Sequence, residues 1–215
     1  MPILRRILRA AALLTLAAGF PLAAAEPVAL PAPEWIAVSG DWKIADGRIA
    51  ELSDGVAPGD RPLWSTAGSP AWKNYIFRAR VSTADGVGSL YLAARWRNQD
   101  NCYAVRYSDP HRVLELLRIV DGREAVLART EGAGDASPQK QPLELSIRVE
   151  GNRLTAKAGK TELTAVADAF SSGAVAVGTS HRQGFFDRCE VELLPEKPSA
   201  GELVIEPEFR RRVFR

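Results

Sequence analysis

The chain has 215 residues, 46% hydrophobic, 25% charged and 7% aromatic, with two cysteines and two histidines. This is the composition of one ordinary globular domain, and it excludes a zinc-finger array, a multi-span membrane protein and a coiled coil. The formal charge of +2 is misleading: Arg5, Arg6 and Arg9 lie in an N-terminal leader, and without residues 1–25 the chain carries 25 basic against 26 acidic groups, a net charge of −1.

That leader has the form of an export signal. Three arginines precede an apolar stretch from Ala10 to Leu22, which is interrupted by Gly19 and Pro21 and closed by Ala23, Ala24 and Ala25 before Glu26. The stretch is short for a membrane span of roughly 20 residues, and small residues occupy the positions that a signal peptidase requires. Cleavage after Ala25 is expected, giving an exported chain, periplasmic or secreted, with no stable membrane span. A near-neutral mature domain lacks the basic patch that supplies most nucleic-acid affinity, so no nucleic-acid partner is expected.

From Trp42 onward the chain alternates apolar and polar residues in runs of five to ten, punctuated by Gly, Pro, Asn and Asp. This period of two predicts strands over 42–52, 74–82, 88–97, 101–108, 112–120, 124–130, 143–150, 153–157, 161–166, 174–179 and 185–194. Asp46-Gly47, Asp121-Gly122 and Gly151-Asn152 supply turns, and only Ala165 to Phe170 admits a short helical turn. The strand count predicts an all-β, two-sheet antiparallel β-sandwich over 26–194, followed by a tail over 195–215. Within that tail, Glu202 to Ile205 could add a short strand to a sheet edge, although a loose terminus is the plainer reading.

The faces can be assigned by parity. Leu143, Leu145, Ile147 and Val149 form one buried row, and Tyr75, Phe77, Ala79 and Val81 form another. A hairpin with Asn98 to Asn101 as its loop puts Leu90, Leu92, Ala94 and Trp96 on the same face as Tyr103, Val105 and Tyr107. The opposite face then carries Tyr91, Ala93, Arg95 and Arg97 beside Cys102, Ala104, Arg106 and Ser108. Three guanidinium groups and a ring on one polar surface make Tyr91, Arg95, Arg97 and Arg106 the candidate ligand-binding residues. The alternative is a solvated outer sheet face.

The segments GDWKIADGRI (40–49), NYIFRARVS (74–82), GSLYLAARW (88–96), NCYAVRYS (101–108), LLRIVDGREAVLA (116–128), LELSIRVEGNRLTA (143–156) and GFFDRCEVEL (184–193) together resemble the concanavalin A-like jelly roll. They are most similar to its laminin-G-like and 3-keto-disaccharide hydrolase-like branches of exported bacterial proteins. The resemblance covers roughly residues 34 to 194. It implies a non-catalytic domain that binds a saccharide or glycan on one sheet face, with Tyr91 stacking on sugar rings and the arginines bonding hydroxyl or carboxylate oxygens. The guanidinium cluster tilts this expectation toward acidic sugars. Two alternatives accompany it: a glycoside-cleaving enzyme of the 3-keto-disaccharide hydrolase type, and a protein-interaction module of the cell envelope.

Glycoside hydrolysis needs two carboxylates across a cleft, and the glucanase branch supplies them in a Glu-x-Asp-x-x-Glu run that this sequence lacks. Glu115 is a single carboxylate without an evident partner, so catalytic residues are not assigned. His111 and His181 stand in turns and stay outside the site. No cofactor is expected. The resemblance places calcium near Asp187, but a second acidic ligand cannot be assembled, and an Asp187 bonded to nearby backbone amides is the preferred reading. Export favours a disulfide between Cys102 and Cys189, whereas parity puts the two on opposite kinds of face.

Overall fold

A computed structural model describes residues 26–30, 34–53, 55–84 and 87–196. The expected leader over 1–25 and the strand over 202–205 lie outside the described residues. In chain order the strands are β1 (Val28–Ala29), β2 (Ile36–Ala37), β3 (Trp42–Ala45), β4 (Arg48–Glu51), β5 (Leu63–Ala67), β6 (Tyr75–Thr83), β7 (Gly88–Asn98) and β8 (Asn101–Asp109). They continue with β9 (Val113–Val120), β10 (Arg123–Thr130), β11 (Leu143–Glu150), β12 (Arg153–Ala158), β13 (Thr161–Val166), β14 (Ala174–Ser180) and β15 (Gly184–Leu193).

The strands form two antiparallel sheets. An eight-stranded sheet runs β13-β12-β11-β6-β15-β4-β3, with β1 also paired to β15, and a seven-stranded sheet runs β10-β9-β8-β7-β14-β5-β2. The expected two-sheet antiparallel β-sandwich is therefore the observed architecture. The expected strand over 42–52 is a hairpin, because Asp46 and Gly47 both adopt positive φ and turn the chain between β3 and β4. Residues 165–170 form no helix; Ala165 and Val166 complete β13. Three strands escape the sequence reading: β1, β2 and β5.

The rows assigned by parity in the eight-stranded sheet hold. Tyr75, Phe77, Ala79 and Val81 pair with Val149, Ile147, Leu145 and Leu143, and these side chains fill the space between the sheets. The outward residues of the same strands, among them Arg78, Arg80, Ser146 and Arg148, are partly exposed, so this sheet is dry on one side and wet on the other.

The seven-stranded sheet is dry on its inner side and, around β5, β7 and β14, on its outer side as well, while β10 and its neighbourhood stay partly exposed. Leu90, Leu92, Tyr103, Val105, Tyr107, Val175 and Val177 face the other sheet. Trp64, Tyr91, Ala93, Trp96, Cys102, Ala104, Leu117, Ile119 and Ala176 form a second apolar cluster on the far face. Burial of this kind on both faces removes more apolar surface from water than the alternation expected of an antiparallel sheet.

Candidate functional site

The outer face of the seven-stranded sheet is built around Trp64, on β5. Its ring lies 5.4 Å from Tyr91 and 4.9 Å from Trp96 between centroids. Small residues beneath make room: a Cβ added to Gly178 would lie 2.5 Å from Trp64 Cε3, and Ala93, Ala104 and Ala176 are fully buried around it. Tyr91 is 3% exposed, its hydroxyl 3.3 Å from Ser180 Oγ. Its ring is thus packed in the cluster rather than presented to solvent, which corrects the expectation of a free stacking platform.

The expected register fails at Arg95. Ala94 pairs with Tyr103 as the last regular position before Asn98 pairs with Asn101, and on the other side Val175 pairs with Ala94 but Ala174 with Trp96, so β7 bulges at Arg95 with two extra residues against β8 and one against β14. Arg95 takes a positive φ of 47°, a conformation that costs a non-glycine residue about 1 kcal/mol. Alternation inverts after it. Trp96 therefore falls on the outer face instead of between the sheets, and Arg95 and Arg97 leave that face.

Arg95 is 2% exposed and closes one end of the sandwich. Its Nε and Nη2 donate to the Lys73 carbonyl at 3.2 and 3.1 Å, Nη2 to the Gly151 carbonyl at 2.6 Å, and Nη1 to the Phe170 carbonyl at 2.6 Å. Its backbone amide donates to the Tyr75 hydroxyl at 2.6 Å. Arg97 is exposed and stands over the Phe170 ring, 5.0 Å from its centroid. Both gather at this end with Phe170, away from Tyr91 and Arg106.

Arg106 does lie on the outer face, beside Tyr91 across the β7–β8 pair. Its Nε bonds Glu115 Oε2 at 2.6 Å and its Nη1 bonds Glu124 Oε2 at 2.9 Å, while Arg129 Nε lies 3.6 Å from Glu115 Oε1. Burial works against the charge on Arg106, but hydrogen bonds to Glu115 and Tyr91 and the Glu115 charge outweigh it, so its pKa stands above the ordinary value. Glu115, only 7% exposed, has the partner the sequence did not reveal. Arg61 pairs with Asp100 in the β7–β8 turn, and the Gly55 carbonyl accepts from His181 N, so the β4–β5 connection is tied to both ends of this sheet. With two carboxylates on one guanidinium, the expected polyarginine surface is a charge-balanced patch, and the tilt toward acidic sugars loses its basis here.

Asp187 accepts from Arg48 Nε at 2.8 Å and Nη2 at 3.2 Å, so a side chain rather than backbone amides satisfies it. Among the described residues no three His, Cys, Asp or Glu side chains are gathered as metal ligands. Cys102 and Cys189 are free thiols, the first in the outer cluster and the second between the sheets, and burial above all pushes both pKa values up. No described helix is long and apolar enough to cross a membrane.

Fold and topology define a two-sheet antiparallel β-sandwich. Among solved structures it is similar to the carbohydrate-binding module CBM66 from Bacillus subtilis, with 18% identity over 74% of this chain and 95% of that one at a TM-score of 0.63. It is also similar to the exoplasmic/lumenal domain of VIP36 in its Ca2+/Man3GlcNAc-bound form (14% identity, 80% of this chain and 89% of that one, TM-score 0.55). The third likeness is to the GH43 protein BlXynB from Bacillus licheniformis, at 10% identity over 75% of this chain but only 37% of that one, with a TM-score of 0.57. No protein-family model and no curated protein matches the chain.

Proposed function

We propose that the protein is an exported, non-catalytic carbohydrate-binding β-sandwich, periplasmic or secreted, that engages a neutral saccharide at the outer face of its seven-stranded sheet. The observation that carries this reading is the patch formed by Arg106, Glu115, Glu124 and Arg129. It places donors and acceptors side by side, with Arg106, Glu124 and Arg129 partly exposed and the buried cluster of Trp64, Tyr91 and Trp96 making the sheet beside them rigid. Adjacent hydroxyls of a sugar ring each donate and accept, so a charge-assisted pair of this kind matches them better than arginines alone. The likeness to a carbohydrate-binding module over nearly the whole of that module's length supports the same reading.

Affinity electrophoresis of the chain against gels containing neutral and uronate polysaccharides tests it. Retardation by a neutral polysaccharide, lost in folded Arg106→Ala and Glu115→Gln variants, is the expected outcome. Absence of retardation in every gel overturns the proposal, as does hydrolysis of a 3-keto-glycoside that stops on neutralising Glu115 or Glu124.

A further inference from the structure

Each end of the sandwich buries one guanidinium, and the fold treats the two differently. At the end where β6 and β8 finish, Arg182 is fully buried, with Nη1 3.5 Å from Asp109 Oδ2 and Nε 3.0 Å from Thr83 Oγ1. At the opposite end Arg95 is equally enclosed, but among the described residues no carboxylate forms an ion pair with it. Its acceptors are three backbone carbonyls.

A guanidinium has five N–H donors. The contacts to Lys73, Gly151 and Phe170 use four of them and leave one on Nη1. Burying a charge against dipoles alone is costly, and burial lowers the pKa of this arginine. The side chain also forms part of the wall of a cleft of about 350 Å³, at the lower end of the range for small-molecule pockets. Around the cleft stand Lys73, Asn152, Asp168 and Ser171, all exposed. The Lys73 ammonium is 2.9 Å from Glu196 Oε1 and more than half exposed, so an incoming anion can compete for it.

We propose that this cleft binds a small hydroxylated carboxylate, whose anionic group takes the remaining N–H of Arg95 and the ammonium of Lys73 while Asn152, Ser171 and Asp168 bond its hydroxyls. Asp168 repels the carboxylate and accepts from hydroxyls, so it orients the ligand with its acid end inward. The chemistry is that of a uronic acid residue of a glycan or of a free open-chain hydroxy acid. This site is remote from Arg106 and does not depend on saccharide binding at the sheet face.

Isothermal titration of the full chain with D-glucuronate, D-gluconate and D-glucose tests the proposal, and the two acids separate the ring source from the open-chain one. Glucuronate or gluconate is expected to bind about tenfold or more tightly than glucose, the factor one charge-assisted hydrogen bond supplies. Lys73→Ala is expected to weaken the acid about fivefold and Asp168→Asn to strengthen it about threefold, in line with screened surface charges. Both positions are exposed, so both variants fold, and Arg106→Ala leaves the titration unchanged. The proposal is overturned if neither acid binds, if glucose binds as tightly as the acids, or if Lys73→Ala and Asp168→Asn leave the affinity for the acid unaltered.

Discussion

At the scale of single residues, Arg95 shows how far a side chain's role depends on one backbone angle. In an uninterrupted strand it would face solvent, and truncation would change stability by no more than about 1 kcal/mol. At the bulge it satisfies the carbonyls of Lys73, Gly151 and Phe170, three separate segments brought to one end of the fold. Arg95→Ala leaves the buried Phe170 carbonyl and the partly buried carbonyls of Lys73 and Gly151 without this donor and is expected to cost about 3 kcal/mol, measured as a lowered urea midpoint with an unchanged slope. A midpoint within experimental error of the parent would show that water replaces the guanidinium without penalty. No residue in GSLYLAARW announces this bulge, since a positive φ is a habit of glycine and asparagine rather than arginine. The charge balance at Arg106 was equally hidden. Glu115 and Glu124 reach it from β9 and β10, and only the strand pairing brings them there.

At the scale of elements, strands whose two faces differ were readable and strands whose faces are alike were not fully so. The sequence LELSIRVE alternates cleanly, and β11 has the predicted bounds and buried row. In β14 the run AVAVGTS is buried at every position, so alternation identifies a strand without saying which face is which. The sequence LWSTA of β5 is short, holds two hydroxyl residues and follows a proline, which left it unassigned although it carries the central ring of the outer cluster. That ring makes a sharp test at its neighbour. Gly178→Ala would force a methyl to within 2.5 Å of Trp64, and relief requires the indole to leave its contacts with Tyr91 and Trp96. The expected cost is about 2 kcal/mol with a shifted tryptophan emission maximum, and an unshifted spectrum at full stability would mean that the indole is not packed on Gly178.

At the scale of the whole molecule, both sides of the seven-stranded sheet hold groups that resist ionisation. Cys102 sits in the outer cluster and Cys189 between the sheets, and burial raises both pKa values above the ordinary thiol range, with nearby carboxylates adding to the effect. Burial likewise raises that of Tyr107 to about 12, with Asp109 contributing. Each is an acid whose folded pKa is raised, so its contribution is fully present below the unfolded pKa and is lost as pH climbs toward the folded value. Stability should therefore be flat through neutrality and fall from about pH 8.5, where unfolded thiols begin to ionise, and further above about pH 10 as unfolded tyrosines follow. Urea midpoints collected from pH 7 to 11 check this, and a midpoint that holds constant to pH 11 would contradict the enclosure of these groups.

The placement of β14 and β15 bears on when the chain can fold. These are the last two strands of the described chain, yet β15 is inserted between β6 and β4, and β14 between β7 and β5. Phe77 meets Val191 across more than a hundred residues, and Leu92 meets Val177 across more than eighty. Pairings so distant in sequence close slowly, because the entropy of a long loop is lost before any contact repays it. A ribosome that has released the first 170 residues has produced two sheets, each split down the middle. The nascent polypeptide thus remains open until its C-terminal strands emerge, which, under the export proposed above, is the state in which it can be threaded through a membrane before it closes.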